Sequence, residues 1–221
     1  MPRQSQQIDG EVSRADDKAP GAPRALKQER SAGTREKLLI AATQLIAEKG
    51  YAAVSTPVVA ERAQVSRGAL QYHFPTRDDL LFAIRRRIAD LIGGNISLEK
   101  LLSRPVEARV SDIVDEYWRF MGSDDYVAAL EIRLYERYNA KLHHLLVEDL
   151  RAVTIARDHD WVRIFADATA ATETIVKTRR FMLDVLRGFA LRRIEEGPAT
   201  AFDWEIVQLK AMLTRELLGQ K

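Results

Sequence analysis

From residue 34 to residue 218 the apolar positions recur every three or four residues, and no stretch shows the strict alternation of a half-buried strand. The chain is therefore expected to be helical throughout. A first helix is predicted from Thr34, its N-cap, to Lys49, with Leu38, Leu39, Ala42, Leu45 and Ile46 on one face and Gly50 as its stop. Val54 to Arg77, VSTPVVAERAQVSRGALQYHFPTR, then reads as two short helices and a tight turn. Ser55 or Thr56 offers the first of them a capping hydroxyl, and Pro57 falls at or next to the first helical position, where its missing N–H loses no partner. Val59, Ala60 and Ala63 form its inner face, and Val65 is pulled into the turn. Ser66 caps the second, in which Leu70 and Phe74 lie four apart and point inward. Thr76 and Asp79 have the spacing of a capping box that uses Asp, opening a helix through Leu80, Leu81, Ile84, Ile88 and Leu91 to the double stop Gly93-Gly94.

The rest is predicted as longer helices. Pro105 marks the start of a stripe formed by Val106, Val110, Ile113, Val114, Tyr117, Trp118 and Met121, which ends at Gly122. Asp124 and Asp125 open another helix, well placed against its dipole, with Leu130, Leu134, Tyr135 and Tyr138. The next carries Leu142, Leu145, Leu146, Leu150 and Val153 and is expected to break near Asp158-His159-Asp160, before Trp161 and Phe165. From Thr172 to Glu196 the apolar residues cover more than one stripe, and after Gly197-Pro198 a last helix with Trp204, Val207, Met212 and Leu217 is equally broad-faced. A helix apolar on two faces needs two partners. Phe181, Met182, Val185, Leu186, Phe189, Trp204, Val207 and Met212 are thus the candidate interface of a homodimer built from these two helices of each subunit.

Composition narrows the chemistry. The 221 residues are comfortable for a small unit and a larger one, and the absence of cysteine removes disulfides and thiol chemistry and fits a reducing compartment. No apolar run approaches a membrane span and the N-terminus lacks a signal-peptide core, so a cytoplasmic location is expected. A net charge of +2 is too small to make the whole molecule a polyanion binder, so any nucleic-acid affinity has to be local. His143 and His144 are adjacent, hence about 100° apart, and cannot chelate one ion together. His144 and Glu148 share a face but fall short of a zinc site, so neither metal nor cofactor is expected. Residues 1–33, rich in Gln, Ser, Asp, Arg, Pro, Gly and Ala, are expected to be a disordered arm. Arg24, Lys27 and Arg30 suit a minor groove, but Asp16, Asp17 and Glu29 dilute them, and a solvated tail is the favoured reading.

The outer face of the second motif helix carries the chemistry. Arg67 and Gln71 bear the two groups that hydrogen-bond guanine and adenine edges in pairs, Gly68 lets the backbone come close, and Tyr72 and His73 suit phosphates. This is a helix-turn-helix.

From Thr34 to about Ile92 the chain resembles the DNA-binding domain of the TetR (tetracycline-repressor) family, in TREKLLIAATQLIAEKGYAAVST and then VVAERAQVSRGALQYHFPTRDDLL. It departs from the family at Gln64, where Gly is usual in the turn, and at Gln71, often Tyr. The resemblance implies an all-α protein: an N-terminal three-helix helix-turn-helix DNA-binding domain (34–76), a connecting helix (77–94) and a larger helical ligand-binding and dimerisation domain (95–221). It implies double-stranded DNA with a palindromic operator as partner, a small-molecule effector, and a repressor's output. Arg77 stands where the family has a phosphate-contacting basic residue. The expected DNA-contacting set is Thr34, Ser55, Thr56, Ser66, Arg67, Gly68, Ala69, Gln71, Tyr72, His73 and Arg77. The family's ligand cavity would fall among Tyr117, Trp118, Met121, Arg133, Tyr135, Tyr138, Trp161 and Phe165, an aromatic set suited to a flat or lipophilic molecule, with Arg133 for an anionic group. A TetR-type regulator without a ligand would have that space filled by Trp118, Tyr135 and Trp161 themselves. A helical enzyme with a relic head is disfavoured, because the sequence has no thiol, no metal-ligand set, no glycine-rich phosphate loop and no histidine–carboxylate arrangement with an obvious nucleophile.

Overall fold

The computed structural model describes residues 22–92 and 97–220, with the side chains of the first helix from Gln28 onward. The helices are α1 (Ala22–Lys49), α2 (Thr56–Arg62), α3 (Arg67–His73), α4 (Arg77–Leu91), α5 (Leu98–Leu102), α6 (Val106–Met121), α7 (Asp124–Glu136), α8 (Ala140–Ile164), α9 (Thr172–Glu196) and α10 (Asp203–Leu218), with a 3-10 turn at Tyr51–Ala53. No strand occurs among the described residues. The boundary signals act as expected at several ends. Thr76 and Asp79 form a complete capping box, with Thr76 N donating to Asp79 at 2.9 Å and Asp79 N to Thr76 at 3.1 Å. Ser123 and Asn139 cap α7 and α8 through their side chains, and Gly197, at φ 105, closes α9 where a side chain would be strained. Gly93-Gly94 lies outside the described residues.

Three expectations need correction. The first helix starts at Ala22, not Thr34, so at least residues 22–33 are helix and not a disordered arm. Thr34 sits inside it, its hydroxyl donating back to the Arg30 carbonyl at 2.9 Å. Ala25, Leu26, Lys27, Gln28, Glu29 and Arg30 are good helix formers, and adding turns to a helix already anchored by a core avoids the cost of nucleation. Second, α8 runs unbroken through Asp158-His159-Asp160. Asp158 is buried and accepts from Arg179 at 2.7 Å and Arg180 at 2.9 Å, so it faces α9 and not a solvent loop. Third, α5, capped by Ser97, was not anticipated: five residues are too few to show a period.

Two apolar cores organise the packing, and they do not divide head from body. One joins α1 to α4 with α7 and the first turns of α8, placing Leu38, Leu45, Leu70, Phe74 and Ile84 with Ala128, Ile132, Leu142 and Leu146. The other joins α6, the end of α8, α9 and α10 around Val110, Ile113, Trp161, Phe165, Met182, Leu186 and Leu213, and Phe120 packs against both. Within the body α6 and α8 each pack on both α7 and α9, so the four helices form a ring with α7 and α9 across from each other. Arg109 of α6, 3% exposed, ties in the chain after α8 by donating to the Ile164 carbonyl and, at 2.6 Å, to Asp167.

Candidate nucleic-acid interface

Ser55 is the residue before α2, with extended backbone, but its hydroxyl makes no capping bond; Pro57 lies in the first turn, as its fixed φ favours. The chain then turns through Gln64, at φ 55, with Val65 N donating to the Ala60 carbonyl at 3.0 Å. Gln64 is the one non-glycine residue with positive φ among those described. The departure from glycine in the turn is therefore accommodated in the left-handed conformation, at roughly 1 kcal/mol of strain. Ser66 starts α3 by accepting from Ala69 N at 3.1 Å. Leu70 and Phe74, buried against α1 and α4, seat this helix.

What remains outside α3 is Arg67, Gly68, Gln71 and Tyr72, all exposed and recurring at one and four residues, so on one face. Tyr72 is 80% exposed and meets His73, half-buried, edge to ring at 5.3 Å. A Cβ built on Gly68 would meet nothing closer than Ser66 Oγ at 4.0 Å. The fold itself leaves room for a side chain there. Gln71 is partly engaged, its Nε2 donating to the Pro75 carbonyl at 2.8 Å; this fixes the amide and leaves Oε1 and one N–H outward. Ser55 and Thr56 are exposed at the start of α2, while Ala69 is half-buried. Thr34 is apart from the rest: inside α1, it offers no helix N-terminus to a phosphate, which corrects that expectation.

Arg77, exposed at the start of α4, has its guanidinium engaged by Tyr51. Its Nη2 donates to the Tyr51 carbonyl at 2.6 Å and its guanidinium lies 3.9 Å from the Tyr51 ring centre. Tyr51 in turn stacks on Tyr135 of α7 with ring centres 3.6 Å apart, and its N–H donates to Glu131 at 3.2 Å. Burial is the main reason its phenol titrates above the ordinary tyrosine value. The basic run on α4, Arg85 to Arg87, is engaged by partners on α1, α7 and α8. Arg85 reaches the Ala129 carbonyl, Arg86 pairs with Asp149, and Arg87 bridges Glu36 at 2.6 Å and Asp125 at 2.9 Å. The start of α4, just after α3, is thus connected to α7 through Arg77, Tyr51 and Tyr135, residues far apart in sequence, and nothing local announces that contact.

The expected ligand set does not surround one space. Tyr138 is 82% exposed, Arg133 is exposed, and Tyr135 belongs to the contact with the head. Tyr117, Met121, Trp161 and Phe165 are buried in the second core, and Trp118 packs edge-on to Phe189 and Phe202. The spacing of aromatic residues recorded their burial, not a shared cavity. Two open clefts lie elsewhere, one of about 660 Å³ beside α1 and α4 and one of about 400 Å³ between α9 and α10. The dimer set divides as well. Met182 and Leu186 have no exposed surface and belong to the subunit's own core, Val185 and Phe189 are half-buried, and Phe181, Trp204, Val207 and Met212 stand out. Leu191 and Ile194, on the same broad-faced helix as Phe181, are exposed as well.

Comparison with known proteins agrees with this geometry. Residues 38–84 match the family described as bacterial regulatory proteins, tetR family. The HTH-type transcriptional regulator CymR of Pseudomonas putida is 23% identical over 180 residues, 81% of this chain and 89% of that protein. Among solved structures, NalD, the secondary repressor of the MexAB-OprM multidrug efflux pump in Pseudomonas aeruginosa, superposes with a TM-score of 0.58 at 20% identity, covering 86% of this chain and 98% of that one. FadR from Bacillus subtilis, solved in complex with stearoyl-CoA, gives 0.59 at 15% identity over 84% and 98%.

Proposed function

Because the chain is a TetR-family DNA-binding transcriptional regulator and not an enzyme, we propose that it acts as a homodimeric repressor which a small molecule releases from a palindromic operator. The observation that carries the DNA-reading part is the outer face of α3, where Arg67, Gly68, Gln71 and Tyr72 project from a helix whose inner side is fixed by Leu70 and Phe74. Arg67 and the free edge of Gln71 read base edges. Gly68 admits the backbone to the groove, and Ser55, Thr56, Ser66, Tyr72 and His73 position the helix on phosphates. Arg77 joins them when its guanidinium turns its remaining N–H groups outward from the Tyr51 carbonyl.

Dimerisation through α9 and α10 is supported by exposed apolar surface that the subunit itself leaves unused. Trp204 is 71% exposed and Val207 58%, with Phe181, Leu191 and Met212 close to half. Two reading helices related by a two-fold axis double the base contacts. Control by a small molecule is supported by the fold's capacity to hold one, as in the stearoyl-CoA complex of FadR, and by the buried Trp161 indole N–H, which has no acceptor. A regulator without a ligand has one observation in its favour: Trp161 and Phe165 close on each other with ring centres 4.9 Å apart. The test is selection from a random DNA pool at moderate salt. An enriched inverted repeat with half-sites one or two helical turns apart is expected; salt-sensitive binding without enrichment would remove the sequence-reading role.

A further inference from the structure

Arg77, the residue read as a phosphate contact at the start of α4, is held by a stack that reaches into the body. Its guanidinium carbon lies 3.9 Å from the centre of the Tyr51 ring, and the centre of the Tyr135 ring lies 3.6 Å from the same point, the two rings inclined by 23°. Two flat groups that close to one ring centre cannot share a side of it, because non-bonded carbons keep about 3.5–4.0 Å apart. Tyr51 is therefore the middle layer, with the Arg77 guanidinium on one face and Tyr135 of α7 on the other. The guanidinium is also fixed within its layer, since Nη2 donates to the Tyr51 carbonyl at 2.6 Å. The middle layer is pinned in turn by α7, where Glu131 accepts from Tyr51 N at 3.2 Å. One residue past Arg77, Asp78 accepts from Asn139 Nδ2 at 3.0 Å, and Asn139 caps α8 by accepting from Leu142 N. The first turn of α4 thus rests on the corner between α7 and α8 at two points.

Arg77 is exposed all the same. An exposed arginine ordinarily samples many rotamers, and ordering it on a phosphate costs part of what the contact gains. Here the ordering precedes the DNA. Stacking and one N–H set the plane of the guanidinium, and the N–H groups not given to the Tyr51 carbonyl keep the fork that matches phosphate oxygens. We propose that Tyr135, in the body and outside the DNA-contacting set, is a positioning residue for DNA binding: through Tyr51 it holds Arg77 in the orientation that meets an operator phosphate. The inference rests on the reading that Arg77 contacts DNA. It gives an aromatic residue first expected in a ligand cavity a part in DNA binding that its own distance from the reading face would not suggest.

The test is a double-mutant cycle on the full-length protein, read as affinity for the selected operator and as its salt slope. The variants are Arg77→Ala, Tyr135→Leu and the two combined, with Tyr135→Phe as the conservative change. Leucine keeps apolar contact with the core and removes the flat ring, whereas phenylalanine keeps the ring; Tyr135→Met carries the same cycle should the leucine variant not fold. Tyr135→Leu is expected to weaken operator binding about 5-fold or more and to lower the magnitude of the salt slope by about 1 per subunit, as loss of the Arg77 contact does. Tyr135→Phe is expected to stay within about twofold of the parent, and Tyr135→Leu to change the affinity of Arg77→Ala by less than about twofold. Stoichiometric titration with operator sets the active concentration, so that a loss of folded protein does not read as a loss of affinity. Equal effects of Tyr135→Leu with and without Arg77, a salt slope that it leaves unchanged, or no rescue by phenylalanine overturns the proposal. An Arg77→Ala protein that binds operator as the parent does, at the same slope, overturns the reading of Arg77 as a DNA contact and the proposal with it.

Discussion

Replacing Gly68 by alanine adds one methyl group to the outer face of α3, and the structure separates what that does to folding from what it does to DNA binding. Within the protein the new Cβ meets nothing nearer than Ser66 Oγ at 4.0 Å, an ordinary contact. The backbone there is helical, so alanine restricts the unfolded chain more than the folded one and gains up to about 0.5–1 kcal/mol. For a chain of this size that is an upward shift of roughly 2–4 °C in Tm per kcal/mol. Against DNA the methyl stands on the face that has to approach the groove floor. If it lifts the helix enough to break one paired hydrogen bond to a base, the loss is about 1–3 kcal/mol at each half-site. Across a two-fold operator that is about 2–6 kcal/mol, a fall in affinity of roughly 30-fold or more. Thermal unfolding and titration of labelled operator, run on the same preparation, read the two effects. An unchanged operator affinity with an unchanged or raised Tm refutes the argument that α3 enters the groove by this face.

Other perturbations address separate parts of the structure. Arg67→Ala is expected to reduce the ratio of operator to random-DNA affinity, whereas Tyr72→Phe weakens both alike; parallel titrations on the two DNAs decide. Arg77→Ala is expected to lower the magnitude of the salt slope of operator binding by about 1 per subunit, and an unchanged slope leaves Arg77 as a structural clamp on Tyr51. Asp158→Ala strands the buried Arg179 and is expected to destabilise the protein by about 3–5 kcal/mol in chemical unfolding. Arg109 holds the Asp167 carboxyl below the usual carboxylate range, so the pair's contribution is complete above the ordinary pKa near 3.8 and is lost as pH falls through the lowered folded value. The Tm difference between the protein and Asp167→Asn is therefore expected at pH 7 and to vanish toward pH 2.

Local chemistry written into consecutive residues was legible without coordinates. The Thr76–Asp79 box, the Ser66 cap, the inward pair Leu70 and Phe74, the outward set on α3 and the limits of α9 all depend on neighbours within about four positions, where periodicity and capping act. The positive φ of Gln64 was signalled only through the family resemblance, in which glycine is usual at that turn position. Tertiary structure decided everything that depends on which helix lies against which. An aromatic side chain at helical spacing is equally at home in a core, a cavity or a surface strip. Only packing placed Tyr135 on Tyr51, Trp161 in the body core and Tyr138 in solvent. Met182 and Phe181 are adjacent, yet one faces the subunit's core and the other leaves it. Charge followed the same rule: Asp158 looked like a helix break until Arg179 and Arg180 came from 21 and 22 residues away to pair with it. Arg85 was one of three arginines in a row until burial left its Nε without a partner. Sequence fixes interactions within a turn of helix, whereas burial and long-range electrostatics belong to the arrangement of helices, which here puts the reading head and the body into one shared core.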